Sequence, residues 1–108
     1  MENFAIAIGN ILIAHARVKA LNPTPLSDTR KAERSRQMSV LRSAANALLR
    51  TQYTSLSDAA KRNAEDLEAA TVQLNKTLAG ITTAIAILDA VGATIGAITE
   101  LTGLIRGK

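Results

Sequence analysis

The segment from Leu78 to Ile105, LAGITTAIAILDAVGATIGAITELTGLI, consists almost entirely of aliphatic residues, Gly and Thr, interrupted by the acids Asp89 and Glu100. It is long enough to cross a membrane as a helix. The seven large aliphatic residues in 80–98 favour insertion by about 2 to 4 kcal/mol, and one central Asp opposes it by about 2.5 to 3.5 kcal/mol. Because these terms nearly cancel, we expect a helix that is buried in protein.

Helical spacing joins this segment to the residues before it. From Ala60 to Leu88, mostly apolar residues recur at alternating intervals of four and three, the pattern of a coiled coil or a helical bundle. The pattern predicts one long helix over residues 56–105. Its stripe is interpreted as the core of an antiparallel bundle, with an intermolecular coiled coil as the alternative. The positions are Ala60, Ala64, Leu67, Thr71, Leu74, Leu78, Ile81, Ile85 and Leu88.

The first half of the chain contains two further helical patterns. Residues 3–21 and 29–53 are predicted helices, separated by a proline loop at 22–28, where Ser27 or Asp28 is the expected N-cap. Ser and Asp residues near position 55 predict a new helix start or a kink there.

Composition and length define the fold class. With 47% hydrophobic but only 2% aromatic residues, the core must be filled by Leu, Ile, Val and Ala, which suits helix packing. A chain of 108 residues is expected to form a single domain, here residues 1–108. We therefore predict an all-α protein, either an elongated helical hairpin or a three-helix bundle, with a long coiled-coil-like C-terminal helix.

The C-terminal segment carries two adjacent apolar stripes on a helical wheel, which indicates burial against two neighbours. Two glycines four residues apart within it are typical of close helix approach, because an interior Gly weakens a helix. The sequence therefore predicts self-association through this Gly-rich helix, as a homo-oligomer or with another helical protein. The expected contact residues are Leu74, Leu78, Ile81, Ile85, Leu88, Gly92, Ile95 and Gly96.

Residues suited to catalysis are scarce. His15 is the only histidine, Cys is absent, and no metalloprotease, P-loop or dinucleotide-binding motif occurs. Glu65, Asp66 and Glu68 are interpreted as a solvated helix face, since near-consecutive helical positions point in different directions. We predict a non-enzymatic protein without cofactor, metal or small-molecule substrate.

Charge is distributed unevenly. Residues 1–50 hold eight Lys or Arg against three acids, a net +5, whereas residues 51–108 hold five against six, a net −1. A basic run at the start of the second predicted helix is a candidate contact for an anionic surface. Its members are Arg30, Lys31, Arg34 and Arg36.

Two alternative functions remain open. The order of basic helices followed by an apolar, Gly-rich helix resembles in composition helical pore-forming and secretion-linked proteins, without a shared motif. This resemblance implies a membrane-active protein that is soluble before assembly. A basic nucleic-acid-binding module ranks third, because no aromatic residues accompany the cations for stacking. The absence of Cys and the acidic Glu2 at the N-terminus favour a cytoplasmic location, with secretion or membrane association as alternatives.

Overall fold

The computed structural model describes residues 4–106, which form four α-helices and no strand. This confirms the all-α prediction, and the dimensions of 44 × 25 × 17 Å are those of an elongated bundle. Asn3, the predicted first helical residue, lies outside the described range. The helices are α1 (Ala5–Lys19), α2 (Asp28–Arg50), α3 (Asp58–Ala79) and α4 (Ala84–Arg106), with a 3₁₀ turn at Tyr53–Ser55.

A serine side chain caps the N-terminus of each of the two central helices, α2 and α3. Ser27 accepts a hydrogen bond from the backbone N–H of Arg30 at 3.2 Å, which confirms it as the N-cap of α2. The predicted interruption near residue 55 is also confirmed. The cap of α3, however, is Ser57, which accepts from the N–H of Ala60 at 3.2 Å.

The helices form two antiparallel hairpins that lie side by side. The first hairpin is α1 with α2 and the second is α3 with α4, while α1 also packs on α3 and α2 on α4. Asn10 of α1 accepts a hydrogen bond from Asn75 of α3 at 2.6 Å. Gln37 of α2 donates to the carbonyl of Leu88 in α4 at 2.9 Å. The helices α2 and α3 therefore occupy opposite corners of the bundle.

One core cluster connects the four helices of the described chain. Burying each large aliphatic side chain contributes about 1.5 to 3 kcal/mol before the entropy of ordering is subtracted. Phe4 and Tyr53 close one end of the bundle with an edge-to-face contact, their ring centroids 5.5 Å apart. The largest fully buried aliphatic side chains are Ile11, Leu41, Leu48, Leu67, Leu78, Leu88, Ile98 and Leu101.

The prediction of one long C-terminal helix is wrong, because residues 56–105 fold into two helices joined at 80–83. Gly80 ends α3 by donating its N–H to the carbonyl of Thr77 at 3.2 Å. The hydroxyl of Thr83 accepts from the N–H of Ala86 at 3.4 Å and so caps the start of α4. A continuous helix would expose side chains such as Val91, whereas the reversal buries them.

The predicted three-helix bundle is therefore also wrong, because residues 4–106 form four helices. The elongated hairpin is not formed either, because α2 pairs antiparallel with α1 and α3 pairs antiparallel with α4. Since α1 and α3 run parallel, α4 runs parallel to α2. The two neighbours expected for the C-terminal segment are present in the same chain, as α2 and α3.

Candidate interaction surfaces

The solvent-facing side of α1 carries no charge from Ala5 to Ala16. This helix is apolar around nearly its whole circumference, so packing one side on the bundle leaves the other side apolar and exposed. Ile13, for example, is 52% exposed although its neighbour Ile11 is fully buried. The exposed residues, hereafter the α1 face, are Ala5, Ile6, Gly9, Leu12, Ile13 and Ala16.

A groove runs between the start of α1 and the end of α2, beside the α1 face. Its volume is about 660 Å³, and Ile8, Leu48 and Tyr53 are among its lining residues. Leu49, 65% exposed, stands on its α2 side. The apolar surface of α1 therefore continues onto the neighbouring helix.

Cations lie at the other end of the first hairpin. Burial, together with the positive charges of Arg42 and Lys19, holds the pKa of His15 below its ordinary value of 6.5. Both cations therefore act on the imidazole electrostatically, although they belong to different helices. The sequence contains no acid between Glu33 and Asp58, so the part of α2 after Glu33 offers no carboxylate to neutralise these cations.

Two of the four residues in the predicted basic cluster are bound to other residues of the chain. Arg30 pairs with Asp89 and Glu33, each at 2.8 Å, and hydrogen bonds with these two carboxylates raise the pKa of its guanidinium. Arg34 donates to the backbone carbonyls of Val18 at 3.2 Å and Lys19 at 2.9 Å, where the C-terminus of α1 attracts positive charge.

The other two members of that cluster point to solvent. Lys31 and Arg36 are exposed and form no ion pair with any residue in 4–106. These two cations, unlike their neighbours, are therefore available for an external anion.

The residues predicted for self-association are divided between the core and the surface. Three of them are buried, Leu74, Leu78 and Leu88. Ile81 and Ile95 are half-buried against the core. Ile85, Gly92 and Gly96 are exposed.

Exposed residues of α4 form a second strip, which is uncharged except at Asp89 and Glu100. A Cβ atom built on Gly96 or Gly103 would meet no atom of residues 4–106 within 4 Å, so close packing among these residues does not require glycine at either position. We call this strip the α4 face. Its members are Ile85, Gly92, Ala93, Gly96, Gly103 and Leu104.

The helix that carries the α4 face is unusually apolar. Residues Ala84–Ile105 have a mean hydropathy of 1.6 and pass a length and composition test for a membrane-crossing helix, a test that core helices of soluble proteins also pass. Only 28% of the residues in the most apolar 18-residue stretch of this helix are buried in the bundle, which is little for a core helix.

Sequence reasoning missed two features of these surfaces. The sequence does not specify which side of α1 faces outward, although the apolar residues of this helix exceed the single stripe that one bundle contact needs. Gln37 is also not among the residues that the sequence singles out, yet it is 1% exposed and its Oε1 atom has no hydrogen-bond partner among the described residues.

The described residues contain no group of three or more potential metal ligands. No known protein family, curated protein or solved structure matches the chain. The α1 face, the α4 face and the exposed cations are therefore the features from which a function is inferred.

Proposed function

We propose that this protein is a non-enzymatic helical interaction protein that self-associates through the α4 face. The observation that carries the proposal is the low burial of its most apolar helix, 28% within the window of highest hydropathy. Water-exposed apolar surface of this kind is typical of protein or membrane interaction sites in soluble proteins. A second copy, or another helical protein, is the expected partner.

The glycines of the α4 face support contact with another helix. Each interior Gly destabilises a helix by about 1 kcal/mol relative to Ala. Since no atom of residues 4–106 outside the helix's own backbone lies within 4 Å of a Cβ built on Gly96 or Gly103, packing among these residues does not offset that loss. Close approach of a helix from a second molecule would offset it, and the exposed Ile85 and Leu104 would be buried in the same contact.

The test is sedimentation velocity in detergent-free buffer over a wide concentration range, comparing the wild type with Gly96→Leu. Gly96 is exposed and a Cβ atom there meets no described atom within 4 Å, and the leucine side chain prevents another backbone from approaching. We expect association to weaken at least about tenfold, whereas monomer stability stays equal or rises because Gly has the lower helix propensity.

Gly9→Leu is the matched control, because a Cβ at Gly9 also meets no atom of the described chain within 4 Å and the residue lies on α1. This variant should associate like the wild type. A wild-type protein that remains monomeric at every concentration contradicts the proposal, as does equal weakening by the two substitutions.

A further inference from the structure

We propose that the first hairpin docks on anionic lipid bilayers, with the α1 face at the lipid interface and the neighbouring cations against the phosphate headgroups. This surface lies at the opposite corner of the bundle from the α4 face. The inference is therefore independent of the proposed self-association.

The apolar part of the surface has the form of an interfacial helix. From Ala5 to Ala16 the α1 face extends along about 17 Å of helix at 1.5 Å per residue. Ile6, Leu12 and Ile13 project from it, and Leu49 adds to it across the groove. Helices that lie in the headgroup region bury such an apolar side at shallow depth.

The charged part of the surface complements anionic headgroups. Residues 5–50, the segment of the first hairpin, hold eight Lys or Arg and two acids, a net charge of +6. Lys19, near the end of the apolar strip, is exposed. Arg36, Arg42 and Arg50 are exposed along α2. Cations that border an apolar helix are typical of binding to anionic membranes.

Other binding partners would complement only part of this surface. A nucleic acid would neutralise the cations but leave the aliphatic side chains of the α1 face in water. A second copy would offer its second hairpin, residues 58–106, whose four cations and six acids give only −2 against +6. An anionic bilayer provides both an apolar phase and a dense layer of negative charge.

The test is vesicle flotation of the full chain. We expect it to float with vesicles made of equal parts phosphatidylcholine and phosphatidylglycerol, and much less with phosphatidylcholine alone. Ile13→Gln should lower the partition coefficient about tenfold or more, because a large aliphatic side chain leaves the lipid. Arg42→Gln should lower it about fivefold, the usual effect of one cation near an anionic surface.

Two controls match these substitutions on the second hairpin. Ile85→Gln changes an isoleucine that is 51% exposed, against 52% for Ile13. Lys76→Gln removes the same charge as Arg42→Gln from an exposed position of α3. Flotation is run at a protein concentration at which the wild type is monomeric, so that self-association through the α4 face does not contribute, and both variants should then float like the wild type.

Three results would overturn the inference. The first is no flotation with anionic vesicles at low salt. The second is an equal loss for Ile85→Gln and Ile13→Gln, which would assign lipid contact to another face. The third is binding to anionic vesicles and to heparin that depends on Arg42 but not on Ile13, which would indicate a polyanion-binding surface. Circular dichroism of each variant verifies that loss of binding is not loss of fold.

Discussion

Replacing Gln37 by Met should stabilise the bundle. Gln37 lies between α2 and α4, where its Nε2 atom donates to the carbonyl of Leu88 at 2.9 Å. Its Oε1 atom is buried without a partner among residues 4–106. Met has nearly the same length and volume, so the substitution removes both polar atoms without leaving a large cavity.

The magnitudes decide the sign of the effect. Losing the hydrogen bond costs about 1 kcal/mol, and the Leu88 carbonyl keeps the helical hydrogen bond from the residue four positions ahead. Removing a buried acceptor without a partner restores about 1 to 3 kcal/mol. The added apolar burial contributes in the same direction. We expect a net gain of about 1 kcal/mol, or about 4 °C in Tm.

Urea unfolding followed by circular dichroism measures this change. The midpoint should rise while the slope of the transition stays constant, because the native bundle is unchanged. Gln37→Glu is the control, since it keeps the shape but buries a carboxylate, and it should lose about 3 kcal/mol at neutral pH. If Gln37→Met is less stable than the wild type, the single hydrogen bond outweighs the unpartnered oxygen and the reasoning fails.

Three further predictions address caps, surface charge and pH. Ser57→Ala should lower the unfolding free energy by about 1 kcal/mol in urea titrations, because α3 loses its N-cap acceptor. Asp89→Asn should leave the thermal midpoint unchanged within error, since the pair with Arg30 is exposed and solvent screens it. His15 has a lowered pKa, so the unfolded chain binds its proton more readily. The stability that neutral His15 contributes is therefore present above pH 6.5 and is lost as the pH falls through the pKa of the folded state. In urea titrations at several pH values, His15→Gln should abolish this part of the pH dependence of the unfolding midpoint.

The interaction surfaces were predictable only in part. The sequence singled out Gly92 and Gly96, which are exposed, but it grouped them with Leu74, Leu78 and Leu88, which are buried. Helical spacing places these residues on one continuous stripe only if the helix itself is continuous. Once the chain reverses after Gly80, the phase of the stripe restarts, and each residue's exposure depends on the new helix.

The amino-acid sequence by itself determined the helical class and the stripe that α3 buries. Few aromatics and a regular four-three spacing suffice for both, and all six positions from Ala60 to Leu78 are buried. These properties are local, because spacing along a helix defines its face and a serine cap defines its start.

Only the tertiary structure decided which side of an apolar helix faces the core. In α1, apolar residues surround the axis, so the pattern does not distinguish Ile11, which is fully buried, from Leu12, which is exposed. The reversal at 80–83 was decided in the same way. Burial of the apolar side of α4 requires neighbouring helices, and the reversal packs α4 against α2 and α3. Such contacts join residues far apart in the chain, and no local spacing encodes them.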